Sequence, residues 1–260
     1  MAGILVHRQG AVGHVVVSNL QKFNAMTTEM WVNLPARMAE FDRDPDIRAI
    51  VMSGDGDKAF ISGADISQFG AERSEADAQK RYSDSVHLAY TAAALASKPV
   101  IAKIRGICMG GGLGLAAGCD IRICADDARF RMPAARLSLG YEAAGVQRFV
   151  SLIGAQNTYD IFFSARIFDA QEALRMGFVT RVVPATQLDA AVDELTANIA
   201  ENAPLTMKAL KLTVQNFLLD PAHPESPAVR AAIKACNASQ DYAEGVRAFG
   251  EKRKPVFTGQ

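Results

Sequence analysis

Residues 103–120 read KIRGICMGGGLGLAAGCD, and the fold turns on how this stretch is parsed. The apolar residues 100–104 make a short strand. Gly110, Gly111 and Gly112 follow and open a short helix, and another strand starts near Asp120. Glycine lets a backbone come close to a ligand, and the first amides of a helix have no partner within it. The stretch therefore reads as a loop that meets negative charge, in one of two forms. Gly112, Gly114 and Ala117 satisfy a loose G-x-G-x-x-A dinucleotide pattern. Against that form, the next strand leaves little helix for a crossover unit, and Asp126 and Asp127 come earlier than the ~20-residue offset of a ribose-binding acid. The other form is an oxyanion site, in which a glycine N–H meets a carbonyl that gains charge during reaction. It needs a second donor, and residues 59–66, AFISGADI, offer a small-residue loop after a buried strand.

Working outward, the segment IRAIVM at residues 47–52 is a buried strand. Strand, helix and strand in short repeated units predict an α/β fold with parallel pairing. Ile4 and Val6, then Val15 and Val17, alternate with polar residues around Gly10 and Gly13 and predict an N-terminal hairpin. Met30, Trp31, Leu34, Met38 and Phe41 recur at helical spacing, with a kink or early break expected at Pro35. Residues 68–84 are polar and of mixed charge, a solvated helix or a loop over the substrate. Residues 86–96 form an Ala-rich helix ending before Pro99. Four helices follow near 191–200, 206–219, 228–239 and 242–249. Met207, Leu210, Val214, Phe217 and Leu218 mark one apolar face, suited to subunit contacts or to the chain's own core.

The chain has 260 residues with 28 basic and 28 acidic side chains, and 49% of it is apolar. That apolar content excludes a disordered class. Neutrality argues against nucleic acid as the main partner, because phosphate binding needs a basic surplus. No targeting or membrane-spanning segment is expected, so the protein is expected in the cytoplasm. Cys108, Cys119, Cys124 and Cys236 have neither zinc-site nor disulfide spacing and read as free thiols.

The motifs carry a resemblance. Residues 60–66, FISGADI, resemble the F-x-[SA]-G-A-D-[IL] segment of the crotonase superfamily, the enoyl-CoA hydratase/isomerase family. GICMGGG at 106–112 resembles its second signature. NLQKFNAM at 19–26 is similar to its N-terminal segment, with Gln21 where proline is usual, and residues 244–259 resemble its tail. The four matches run in order along nearly the whole chain. The resemblance implies an α/β spiral of ββα turns over residues 1–200 that holds an acyl-CoA site. It implies a helical region, 201–260, that assembles a homotrimer or homohexamer. The substrate would be a CoA thioester, with no separate cofactor and no metal. The N–H groups of Ala64 and Gly111 would form the oxyanion hole. Lys22, Ala25, Ser62, Ala64, Asp65, Ile66 and Gly111 would lie along the CoA moiety. Lys252, Arg253 and Lys254 are candidates for its 3′-phosphate.

Hydration in this family usually takes two glutamates, and the matching positions here hold Gly114 and Ala134. One acid remains nearby, Glu142, where some isomerases of the family carry their working carboxylate. One carboxylate can remove a proton beside the thioester and return it elsewhere, which is isomerisation by general acid–base catalysis. A buried carboxylate beside Tyr141 would have a raised pKa that suits a base. Hydration with Glu142 stays open. Tyr141 matches a tyrosine of a family decarboxylase, or it is an aromatic wall against the acyl chain. A non-catalytic acyl-CoA binder is the further alternative. Arg136 would pair with Glu142, meet a substrate carboxylate, or lie exposed. The histidines His7, His14, His87 and His223 fall outside every motif, so histidine catalysis is not expected.

Overall fold

Val15 and Val17 face Val6 and Ile4 across an antiparallel hairpin, as their alternation requires, and the hairpin starts the first of two sheets. The computed structural model describes residues 2–68 and 76–260. Residues 69–75 of the polar stretch expected to cover substrate lie outside the described residues. The first sheet has the order β1 (Gly3–Gln9), β2 (Val12–Ser18), β3 (Ala49–Gly54), β5 (Val100–Ile104), β7 (Ile121–Ala125) and β10 (Arg181–Val183). All its pairings after the hairpin are parallel. The second sheet is made of three-residue strands, β4 (Ala59–Ile61), β6 (Ile107–Met109), β8 (Arg129–Arg131) and β9 (Ile167–Asp169). Its first three strands are parallel and β9 runs against β8.

The chain alternates between the sheets. β3, β5 and β7 enter the first sheet, and each is followed by β4, β6 or β8 in the second. Helices α1 (Thr28–Arg43), α2 (Ala76–Leu95), α3 (Gly111–Gly118) and α4 (Ala143–Ser164) fill the connections. The period-2 rule explains the two cores. Ile50 and Met52 of β3 face the main cluster between the sheets with Trp31, Phe60 and Phe130. Ala49 and Val51 face the other way, onto Leu188 and Val192 of a helix at Leu188–Ala200.

Two expectations are corrected here. Pro35 does not break α1, which runs on to Arg43. Proline inside a helix costs about 3 kcal/mol. Met30, Trp31, Leu34 and Met38 are buried on that helix, at roughly 1.5–3 kcal/mol each, so burial wins. The dinucleotide form fails because β6 and β7, on either side of α3, belong to different sheets, so no crossover unit exists. Among the described residues, no helix is long and apolar enough to cross a membrane, and no cluster of metal-ligating side chains occurs.

Numbering the short α5 (Ala170–Arg175) and α6 (Leu188–Ala200) in order, the chain ends in α7 (Pro204–Leu219), α8 (Pro227–Asn237) and α9 (Gln240–Gly250). α7 is joined to the core by Lys211. Its Nζ donates to the carbonyls of Ala93 (2.8 Å) and Lys98 (2.9 Å) and to Asp120 Oδ2 (2.7 Å), the oxygen that also accepts from Val100 N. The remaining face of α7 leaves Leu210, Val214 and Phe217 exposed. Removing one partner of a largely buried pair costs about 3 kcal/mol or more. Lys211→Met is therefore expected to lower the urea stability by about that much. Lys254→Met, which breaks a surface pair with Glu201, is expected to cost under about 1 kcal/mol. Equal effects in the two variants would contradict the assignment of Lys211 as the joint.

Candidate active site

The Ala64 amide owes its position to the turn at residues 19–26. Phe23 and Asn24 take left-handed backbone angles (φ 51° and 58°). Asn24 Nδ2 donates to the carbonyls of Asp55 and Ala59, both at 2.9 Å, and its Oδ1 accepts from Asn19 N. The turn then pairs with the loop after β4. Ser62 N donates to Phe23 O, Met26 N to Gly63 O, and Asp65 N to Met26 O. These bonds use the amides on either side of Ala64. Among the described residues, the Ala64 N–H itself has no acceptor.

Gly111 supplies the second amide. Gly110 (φ 51°) turns the chain from β6 into α3, and its N–H donates to Arg131 O at 2.9 Å, which ties the turn to β8. Gly111 opens α3, so its N–H has no acceptor in the helix, and none elsewhere among the described residues. The two segments touch. A methyl group on Gly63 would lie 3.3 Å from Met109 O and 3.6 Å from Gly111 N, in front of that amide. A methyl on Gly112 would overlap the carbonyl of Ile61. Two free amides on adjacent, tightly held backbones can receive one oxygen that gains negative charge.

The other glycines of α3 serve packing. A methyl on Gly114 would meet the Tyr90 ring at 2.7 Å, and one on Gly118 the Tyr90 carbonyl at 2.5 Å. α2 therefore lies on a glycine stripe, and Tyr90 fills the space that a side chain at 114 would need. Its Oη lies 3.5 Å from the point where Gly111 would carry a methyl, and 3.5 Å from Tyr141 Oη. Trp31 meets the Tyr90 ring edge to face, with centroids 5.7 Å apart, and borders Gly111 as well. Tyr141 packs on Phe162 in the same geometry at 5.1 Å. Burial pushes both phenols above their ordinary pKa, Tyr90 well above, so both stay neutral and neither serves as a base near neutral pH.

Glu142 is not buried. It stands at the N-terminus of α4 with its side chain 63% exposed, and its oxygens face Ser83 and His87 of α2. Arg136 is exposed and pairs with no acid among the described residues. Lys22 Nζ donates to Asp65 Oδ2 (2.8 Å) and Ser67 Oγ (2.9 Å), and Ser62 Oγ donates to Lys22 O (3.1 Å). The Lys22 ammonium holds the Asp65 carboxyl below its ordinary pKa. Ala25 is buried and Ile66 exposed on the same turn and loop. In the tail, Arg253 pairs with Glu244 and Glu251, Lys254 pairs with Glu201, and Lys252 is exposed.

Sequence reasoning missed Tyr90, Trp31, Ser83 and His87. A signal existed for three of them: Ser83, His87 and Tyr90 are four and three apart, which puts them on one helix face.

The sequence model described as enoyl-CoA hydratase/isomerase matches residues 7–260. The chain is 29% identical over 251 residues to the short-chain-enoyl-CoA hydratase of Clostridium acetobutylicum, covering 96% of this chain and 95% of that one. It is 31% identical to a peroxisomal Delta(3,5)-Delta(2,4)-dienoyl-CoA isomerase of Arabidopsis thaliana, covering 95% and 92%. A solved enoyl-CoA hydratase/carnitine racemase from Magnetospirillum magneticum superposes with a TM-score of 0.94 at 35% identity, covering 100% of this chain and 97% of the other.

Gly112→Ala is expected to destabilise the protein by about 1–3 kcal/mol, the usual cost of overpacking. Gly3→Ala, which meets nothing within 4 Å, is expected to leave the denaturation midpoint unchanged. A neutral Gly112→Ala would disprove the close approach.

Proposed function

This chain belongs to the enoyl-CoA hydratase/isomerase family, the crotonase superfamily, and on that premise we propose that it shifts a double bond along an acyl-CoA thioester, with Glu142 as the proton carrier. The observation that carries the proposal is the pair of free amides, Ala64 and Gly111, on touching backbones. A thioester carbonyl oxygen sits between them. Glu142 removes a proton from the carbon between carbonyl and double bond. The C–H electron pair moves into the conjugated system and the negative charge rests on the oxygen. The same proton returns to the far end of the former double bond, so the conjugated thioester forms and the enzyme is unchanged. Losing one such donor typically costs about 3–4 kcal/mol of barrier lowering. CoA enters as part of the substrate.

Isomerisation is favoured over hydration by what stands at 114 and 134. Both residues are buried and neither carries a carboxylate, and Tyr90 packs against Gly114. Water addition with Glu142 alone leaves no second acid to hold the water. The similarity to a dienoyl-CoA isomerase supports the same choice. The exposed apolar face of α7 supports assembly as a homotrimer or homohexamer.

The test is turnover of 3-enoyl-CoA and 2-enoyl-CoA by the wild type and Glu142→Ala. The wild type is expected to convert 3-enoyl to 2-enoyl thioester, and Glu142→Ala to lose at least 10²-fold. Full activity in Glu142→Ala would remove that residue from the mechanism. Binding without turnover would make the chain a binder, and carbon dioxide release from a malonyl-type thioester would make it a decarboxylase. For assembly, light scattering is expected to give a trimer or hexamer; a monomer at micromolar concentration would refute that part.

A further inference from the structure

Glu142 begins α4 at a position where a short polar side chain commonly accepts from the helix's own first amides. Its carboxylate makes no such bond. It faces α2 instead. Ser83 Oγ donates to Oε1 at 2.9 Å, and His87 Nδ1 lies 3.5 Å from Oε2, ion-pair range rather than a tight hydrogen bond. One turn further along the same helix face, Tyr90 Oη meets Tyr141 Oη. A single face of α2 thus touches two successive residues, Tyr141 and Glu142, and each carboxylate oxygen has its own neighbour.

We propose that His87, together with Ser83, is a positioning residue for Glu142, fixing the direction of its carboxylate and setting how its basicity responds to pH. The proposal rests on the reading that Glu142 carries the proton. A carboxylate on a helix terminus with only water around it samples many directions, and small displacements of a reacting group are costly in rate. Two contacts from one rigid helix turn remove that freedom. The charge on His87 adds a pH response of definite sign. Neutral imidazole leaves the carboxylate a full base. As pH falls and the imidazole takes up a proton, the cation beside Oε2 stabilises the carboxylate and weakens it as a base, so proton removal slows before Glu142 itself is protonated.

The other charged groups on the meeting elements do not reverse this sign. Lys80 and Asp84 of α2 are paired with each other, and Arg81 precedes Ser83 on the same helix. From α4, Arg148 donates to the carbonyls of Ala117 and Cys119. Arg136, on the turn before Glu142, is exposed. Tyr90 and Tyr141 are neutral phenols, and Tyr82 stands beside Ser83.

The experiment measures kcat, KM and the pH profile of 3-enoyl-CoA isomerisation for wild type, His87→Ala, His87→Gln, Ser83→Ala/His87→Ala and Glu142→Gln. His87 is partly exposed, so its variants are expected to melt within a few degrees of wild type. Ser83→Ala/His87→Ala is expected to lose about tenfold or more in kcat with KM held within about twofold. His87→Gln, which can still donate to the carboxylate, is expected to recover most of the loss in His87→Ala. It should also lack the decline that wild type shows on the acid side of neutrality. If Glu142→Gln is inactive while the Ser83 and His87 variants keep wild-type kcat and pH profile, the positioning role is wrong and the proton-carrier reading survives. If Glu142→Gln is fully active, the proton-carrier reading falls and the positioning role with it.

Discussion

Two stretches of main chain approach each other closely enough to offer their amides to one oxygen, and most of what surrounds the site exists to hold that approach. It is possible only because residues 63, 110 and 112 carry no side chain. A methyl at 112 alone would overlap the carbonyl of Ile61. The loop at 62–66 is fixed from below by the backbone bonds of the 19–26 turn, and the 109–111 turn is fixed by β8 through the Arg131 carbonyl. The donors therefore sit at the ends of β4 and β6, neighbouring parallel strands of the second sheet, one turn of the spiral apart. Preorganised donors need no rearrangement when charge develops, which is why rigidity here translates into rate.

The glycine stripe on α3 has a second effect. With no side chain at 114, α2 settles onto α3 and inserts Tyr90 beside the first amide of the helix. A neutral phenol and an indole then border the space next to Gly111, where a hydratase of this family would keep a carboxylate. The consequence is chemical: the wall beside the oxygen-binding amides cannot take or release a proton near neutrality, and the ionisable group is displaced to the rim at Glu142. Packing between two helices thereby decides what kind of proton transfer the site supports.

Much of this was legible in the residues. The hairpin register followed from alternation, and the two donor loops followed from small residues after buried strands. The second sheet was not legible, because strands of three residues, such as Ile107–Met109, are too short to show a period. Pro35 misled because local preference was outweighed by a buried helix face. Tyr90 escaped notice because its importance lies in what is missing from Gly114, and a missing side chain has no pattern of its own. The histidines were set aside because they lay in no motif, yet His87 reaches Glu142 across 55 residues of chain, a proximity only the fold creates.

The main-chain origin of the two donors has one more consequence. A peptide N–H does not titrate in any range where the protein is folded. The oxygen-binding amides therefore hold the same charge at every working pH, and so does the phenolic wall beside them near neutrality. Whatever acidity profile the enzyme displays is written entirely at its rim, by a few solvent-facing side chains. Such side chains are free to vary, so the same interior can be tuned to compartments of different acidity without altering the structure that binds the thioester oxygen.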